Sequence, residues 1–289
     1  MRVLILGGNG MLGHNFFKSW QKIFSTKVTL RNSLQSYKEF NLFNENNSFS
    51  NVDVRNLNEL EKVFNVFQPD AVVNCIGITK QKTNIKKPED SVLVNSLFPH
   101  KLSNVCKTFN SRLIILSTDC IFSGKSGNYK EEDISDAEDL YGRSKFLGEV
   151  ISKNVLTLRK STIGLELGSH HGLIEWFLAQ EGDIKGYSKA IYSGVTSEVL
   201  AKIIARIIND FPNIYGVRNI ASKPISKFKL LQELNKKLPE TRINVLQDDE
   251  IVCDRSLDSS KLNKEIGELV PSWDEMLEDL AKNIIERIK

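Results

Sequence analysis

The sequence is short of several things, and each shortage closes off a class of protein. No stretch approaches the roughly 18 consecutive apolar residues that a membrane-spanning helix needs, so no membrane partner is expected. The opening run Met1-Arg2-Val3-Leu4-Ile5-Leu6 stops at glycine without the pattern of a cleavable signal, and a cytoplasmic protein is expected. There are only four cysteines, Cys75, Cys106, Cys120 and Cys253. They stand far apart, without CxxC spacing, and are expected as reduced thiols. The four histidines, two of them the neighbours His170 and His171, form no HxxxH or Cys/His cluster, so no metal site is expected. The charge is nearly balanced, with 39 basic and 36 acidic residues, and no polybasic block is present to neutralise a phosphate backbone. Nucleic acid is therefore not the expected partner. Internal repeats and low-complexity linkers are also missing.

What is present is an ordinary globular composition: 289 residues, 40% hydrophobic and 26% charged. That suffices for one large core with a smaller lobe attached. Short β-rich runs alternate with amphipathic stretches through the first 160 residues. Arg2–Leu6, Lys27–Leu30, Asn51–Asp53, Ala71–Cys75, Leu113–Leu116 and Val155–Leu158 read as strands. Met11–Lys22, Asn56–Phe67, Ser91–Phe109 and Leu140–Ser152 read as the helices between them. The alternation predicts a doubly wound α/β fold around a parallel sheet, of Rossmann type, with a smaller, discontinuous C-terminal substrate lobe. The dinucleotide-binding domain is expected over 1–160, with 185–222 returning to it; 161–184 and 223–289 are expected to form the lobe.

Between the first strand and the first helix lies Gly7-Gly8-Asn9-Gly10-Met11-Leu12-Gly13. In that position the glycines permit a sharp turn at Gly7, close approach of a pyrophosphate near Gly10, and tight helix packing at Gly13. The helix start at Met11 and Leu12 then offers amide donors to the anion. The end of the second strand lacks the carboxylate that would accept the ribose hydroxyls of NAD; Arg31 stands there instead. Arg31 suits a 2′-phosphate, which favours NADPH over NADH, the alternative being an ordinary surface arginine. Asp53, beside Val54, is placed for the adenine amino group or, equally, for capping the next helix.

Tyr141-Gly142-Arg143-Ser144-Lys145 puts a phenol and an ammonium four residues apart, on one face of a predicted helix. Spacing alone is weak evidence, since a chance YxxxK is unremarkable. It gains weight from Ser117-Thr118-Asp119, which ends a buried strand at the edge where parallel sheets bind ligands. A carbonyl receiving hydride must be protonated, and a tyrosine can do this if a nearby ammonium lowers its pKa. Thr118, or less readily Ser117, would hold the carbonyl oxygen.

Together these residues resemble the extended short-chain dehydrogenase/reductases, and within them dTDP-4-dehydrorhamnose reductase and related nucleotide-sugar 4-ketoreductases. The resemblance runs through the glycine turn, Asp53-Val54-Arg55-Asn56, Pro69-Asp70-Ala71-Val72-Val73-Asn74-Cys75-Ile76-Gly77, Val94-Asn95, Ser117–Gly124 and Tyr141–Glu149. It implies a catalytic triad of Thr118, Tyr141 and Lys145, with Lys145 also gripping the nicotinamide ribose. It implies further that Cys75, Ile76 and Gly77 line the cofactor, that Asn95 orders the site, and that Thr79, Asp119 and Arg255 approach the substrate. A surface ion pair with Asp254 is the other reading of Arg255. Cys120 replaces a tyrosine common in these reductases, and Gly77-Ile78-Thr79-Lys80 replaces an aromatic-bearing loop, so base and sugar stay open. The implied activity is reduction of the 4-keto group of a dTDP- or UDP-linked 6-deoxyhexulose in cell-surface polysaccharide synthesis. An epimerase using bound NAD and a non-catalytic nucleotide-binding regulatory subunit are the alternatives, and a homodimer is kept in view.

Overall fold

The computed structural model describes residues 1–79, 88–239 and 241–288. In chain order the first part contains β1 (Arg2–Leu6), α1 (Met11–Trp20), β2 (Ser25–Thr29), β3 (Ser48–Phe49), α2 (Leu57–Phe67), β4 (Ala71–Asn74) and α3 (Pro88–Ser91). After a π-helical turn at Val92–Leu97 come α4 (Phe98–Thr108), β5 (Arg112–Leu116), α5 (Leu140–Leu147) and β6 (Val155–Arg159). Then follow β7 (Thr162–Ile163), α6 (Leu173–Leu178), β8 (Gly182–Tyr187), β9 (Ala190–Tyr192), β10 (Val195–Thr196), α7 (Ser197–Asp210) and β11 (Gly216–Asn219). The remainder is β12 (Ile225–Ser226), α8 (Lys227–Lys237), β13 (Ile243–Asp248), β14 (Cys253–Asp254), α9 (Ser260–Ile266) and α10 (Trp273–Ile288).

Seven strands form one sheet in the order β11-β6-β5-β4-β1-β2-β3, and every pairing in it is parallel. Successive side chains of a strand point to opposite faces, and β1 divides accordingly. Val3 and Ile5 join Phe16, Phe17 and Trp20 of α1 and the apolar face of α7. Leu4 and Leu6 join Leu60 and Phe64 of α2 and Leu102 and Val105 of α4. Both faces are covered, which is why these strands read as continuous apolar runs. The Trp20 indole donates to the Ala201 carbonyl at 3.0 Å and ties α1 to α7.

The smaller lobe has its own core, in which Ile174, Phe177, Leu230, Leu234, Leu277, Leu280 and Ile284 are buried. Its boundary differs from the expected one. Residues 185–187 and 190–192 lie in lobe strands, because β8 pairs with β13 and β9 with β12 and β14. The chain rejoins the main core only with β10, α7 and β11. Leu262, Ile266 and Met276, expected in the lobe, pack on the main core.

Three local expectations also need correction. Asn51 has φ 58°, which breaks the extended backbone, so the strand beside β2 is Ser48–Phe49 and not 51–53. The helix expected over 140–152 stops at Leu147, because Gly148 presses on the Asn95 carbonyl: a Cβ there would lie 1.9 Å from that oxygen. The helix expected over 91–109 passes through the π turn. Pro99 has no N–H for the carbonyl four residues back, at Asn95, and the Phe98 N–H bonds Leu93, five residues back. Among the described residues no helix is long and apolar enough to cross a membrane.

His14 lies beneath the start of α1, 2% exposed, with Nδ1 2.9 Å from the Gly10 carbonyl. Burial pushes its pKa down to about 4. The unfolded chain, with an imidazole near about 6.5, binds a proton that the fold refuses, so stability is lost as pH falls from about 6.5 toward about 4. By pH 5 this group alone is expected to remove about 2 kcal/mol of stability. Thermal melts from pH 7 to 5 should show His14→Gln losing less than the parent; equal losses would remove His14 as the cause.

Candidate active site

The glycine turn is built by packing. Gly7 has φ +82° and its N–H donates to Thr29 Oγ1 at 3.2 Å, while Gly8 N–H donates to the Thr29 carbonyl at 2.9 Å. A Cβ on Gly8 would lie 2.6 Å from Val28 Cβ, and one on Gly13 would lie 2.1 Å from the Gly7 carbonyl oxygen. Those glycines let α1 lie on the sheet. Gly10 differs, since a Cβ there would meet only Gly7 O, at 3.4 Å, and otherwise open space. It precedes α1 without a side-chain cap or an acidic residue in the first turn, so the helix itself supplies no side-chain acceptor to the amides at Met11 and Leu12. This cradle fits a pyrophosphate.

Around the cradle, Cys75 and Ile76 leave β4 directly over the turn: a Cβ on Gly7 would lie 2.8 Å from Ile76 Cγ1. Burial pushes the Cys75 thiol well above its ordinary range. Gly77 follows, and Ile78 is clamped by Asn95, whose Oδ1 accepts the Ile78 N–H and whose Nδ2 donates to the Ile78 carbonyl, both at 2.9 Å. The same Nδ2 reaches Ser144 Oγ on α5 at 3.1 Å. Thr79 ends this described run, and Lys80 lies outside the described residues. Arg31 is exposed beyond β2. Asp53 is gripped by Arg55, from Nε at 3.0 Å and from Nη2 at 2.5 Å. That hydrogen bonding holds its carboxyl below the usual range, with Arg31 adding to the effect. Capping of α2 belongs to Asn56, which accepts from the Asn58 N–H, and not to Asp53. Val54 is buried alongside.

Thr118, Tyr141 and Lys145 come together at the carboxyl edge of β5. Tyr141 lies near enough to Thr118 for that side chain to act on its phenol, and Lys145 Nζ donates to the Leu116 carbonyl at 2.6 Å. A Cβ on Gly142 would lie 2.2 Å from the Cys120 carbonyl oxygen, so α5 meets the Thr118–Cys120 turn backbone to backbone. Ser117, the alternative to Thr118, is committed elsewhere, donating to Glu149 Oε1 at 2.6 Å. Thr118 Oγ1 donates to Asp119 Oδ1 at 3.0 Å and accepts the Cys120 N–H at 3.2 Å.

The electrostatics differ from expectation at Tyr141. Burial pushes its phenol above the ordinary value, Cys120, Asp119 and Asp139 add to that, and the Thr118 side chain opposes it. Lys145, whose ammonium is directed to Leu116, is not the dominant influence. Its own pKa is pushed down to about 8 by burial and then by Lys160. Burial likewise raises the Asp119 carboxyl, against the pull of Thr118, Arg255 and Lys160. Arg255 donates to the carbonyls of Phe122 (2.8 Å) and Ser123 (3.3 Å), whereas Asp254 accepts the Ser256 N–H. The alternative Arg255–Asp254 pair does not form.

Two residues at this edge had no place in the sequence reading. Lys160 directly follows β6, and its position after a predicted strand was a usable signal. Tyr192 of β9 had none, because its strand was not recognised.

The family model described as RmlD substrate binding domain matches residues 1–163. The chain belongs to this family. It is 28% identical over 233 residues to a dTDP-4-dehydrorhamnose reductase of Aggregatibacter actinomycetemcomitans, a match covering 77% of this chain and 74% of that one. Its fold is similar to a solved structure described as a hypothetical dTDP-4-dehydrorhamnose reductase from Sulfolobus tokodaii, with TM-score 0.75, 25% identity, and coverage of 91% and 94%. It is also similar to the dTDP-4-dehydrorhamnose reductase of Bacillus anthracis in complex with NADP, with TM-score 0.78, 19% identity, and coverage of 99% of both chains.

The family match ends just beyond the ion pair that secures the site. Glu149, two residues after α5, takes Arg159 Nη2 at 2.8 Å and Nε at 2.9 and 3.2 Å, with side-chain exposures of 5% and 4%. Removing one partner of a buried pair strands the other charge, whereas replacing both with apolar groups often does not destabilise. Glu149→Leu should therefore lose about 3 to 5 kcal/mol in urea denaturation, and adding Arg159→Met should restore much of it. A double variant no more stable than the single one would refute the coupling.

Proposed function

We propose that the chain reduces the 4-keto group of a nucleotide-activated 6-deoxyhexulose, dTDP- or UDP-linked, with NADPH as hydride donor, in polysaccharide or deoxysugar biosynthesis. The observation that carries this reading is the backbone contact at Gly142 that sets α5, with Tyr141 and Lys145, against the Thr118–Cys120 turn, at the sheet edge shared with the open-sided Gly10 cradle. Gly7, Gly10, Met11 and Leu12 would hold the pyrophosphate, Cys75, Ile76 and Gly77 the nicotinamide side, Val54 and Asp53 the adenine, and Arg31 a 2′-phosphate. Membership of the RmlD family supports the substrate class.

When bound, NADPH supplies the hydride. Tyr141, kept protonated by burial, donates its phenolic proton to the carbonyl oxygen as that oxygen gains charge. Thr118 redirects its hydroxyl from Asp119 to the same oxygen and shares the developing charge. Lys145, buried behind the tyrosine, favours the resulting phenolate until solvent returns the proton. Asn95 keeps the Ile78 segment against α5 while this happens.

Tyr141→Phe should lower the rate of NADPH oxidation with dTDP- or UDP-4-keto-6-deoxyhexose by about 10²- to 10⁴-fold, with NADPH affinity retained. Reduction at the parent rate would overturn the acid assignment. One oxidised cofactor released per product separates reduction from epimerisation, and tight NADPH binding without oxidation of any keto-sugar would favour the regulatory reading. Independently, Gly10→Ala fits the free protein but fills the cradle. It should leave the melting temperature unchanged and weaken NADPH binding by at least about tenfold. Unchanged affinity would take the pyrophosphate away from Gly10.

A further inference from the structure

The catalytic groups are satisfied within the protein, but two polar groups beside them are not. Lys160 stands at the carboxyl end of β6, half-buried, with its backbone carbonyl accepting the Asp119 N–H at 3.3 Å. Its ammonium lies close enough to Asp119, Cys75 and Cys120 for their charges to act on it. Among the described residues its Nζ takes part in no hydrogen bond or ion pair. An ammonium carries three donors, and one left in a partly buried cleft requires acceptors from elsewhere.

Tyr192 approaches from the lobe side, on β9. Its side chain is 7% exposed, and its hydroxyl is buried without a hydrogen-bond partner among the described residues. Its ring edge flanks Gly194 together with the backbone of Ser161, the neighbour of Lys160: a Cβ on Gly194 would lie 2.6 Å from Tyr192 Cε2 and 3.2 Å from the Ser161 carbonyl carbon. Buried hydroxyls in native folds are nearly always paired, and an orphan asks for an explanation. The orphan phenol thus comes from the lobe to the end of β6, where the backbones of Lys160 and Asp119 meet one residue from Thr118.

We propose that Lys160, Asp119 and Tyr192 form a sugar subsite that reads a hydroxyl of the hexose beside the reacting carbon. A sugar hydroxyl both donates and accepts, so it meets an ammonium donor, a carboxylate acceptor and an amphoteric phenol with nothing left over. A site of this kind rejects analogues that lack the hydroxyl, because its own polar groups then remain unpaired. The proposal rests on the reductase reading only for the ligand being a hexose. It adds the part of the sugar that this chain recognises and the residues that do so.

The test uses binding of stable ligands by calorimetry: dTDP and UDP against dTDP-glucose and UDP-glucose, with the full chain and NADPH present. The parent should bind at least one nucleotide-hexose about tenfold or more tighter than its bare nucleotide. Tyr192→Phe and Lys160→Met should each lose most of that ratio while keeping the affinity for the bare nucleotide. Neither should lower the melting temperature, because each removes a polar group that has no hydrogen-bond partner among the described residues. A purely structural role predicts the opposite pattern, a lower melting temperature with an unchanged ratio. The proposal is overturned if the parent shows no hexose preference, if both variants keep it, or if they weaken nucleotide and nucleotide-hexose alike. A retained hexose preference without keto-sugar turnover would sink the reductase reading and leave the subsite standing.

Discussion

The Glu149–Arg159 ion pair is the contact on which the geometry of the site depends. Glu149 joins the end of α5, through Ser117, to the end of β5, and through Arg159 to the end of β6. Three consecutive pieces of the βαβ unit are thereby fixed at one point. Arg159 is further enclosed by the face of Phe122, 5.4 Å from the ring centroid, and by the Glu131 carbonyl at 3.1 Å. Because both charges are desolvated, small displacements are expensive, and the position of α5 along the sheet edge is correspondingly narrow.

That position matters because α5 carries Tyr141 and Lys145 and touches its neighbours through glycine. Gly142 admits the Cys120 carbonyl and Gly148 admits the Asn95 carbonyl, so no side chain separates the helix from either backbone. The π turn at Val92–Leu97 belongs to the same constraint. By shifting the register ahead of Pro99 it brings Asn95 between Ile78 and Ser144, and one side chain then links the segment leaving β4 to α5. Such π turns recur at functional sites because they re-aim a residue without ending the helix.

The parallel sheet was legible in the sequence for a simple reason: both faces of its strands are buried, and burial writes an uninterrupted apolar run. The glycine turn was legible because Gly7 and Gly13 answer packing demands of the strand-to-helix turn, with Gly10 left open between them. The short strands of the lobe were not, since two- and three-residue pairings such as β9 with β14 leave no periodicity to read. The error at residues 51–53 has a local cause, a left-handed asparagine in a segment whose composition suits a strand. At the site, spacing anticipated that Tyr141 and Lys145 would share a helix face near Thr118. It gave no access to the electrostatics, because burial of the phenol and the Lys145 bond to Leu116 are properties of packing.

The distribution of satisfied and unsatisfied groups separates chemistry from recognition. Thr118 and Lys145 are held by hydrogen bonds within the protein, Thr118 to Asp119 and Lys145 to the Leu116 carbonyl, so their positions are set before any ligand arrives. Lys160 and Tyr192 carry the complementary condition, polar atoms whose pairing the fold leaves incomplete at a cost in stability. A sequence selected for stability alone would place apolar residues there, since each would relieve an unpaired donor. Their presence at this sheet edge follows if a ligand completes the network, and the polar groups a fold leaves unpaired then outline the ligand it binds.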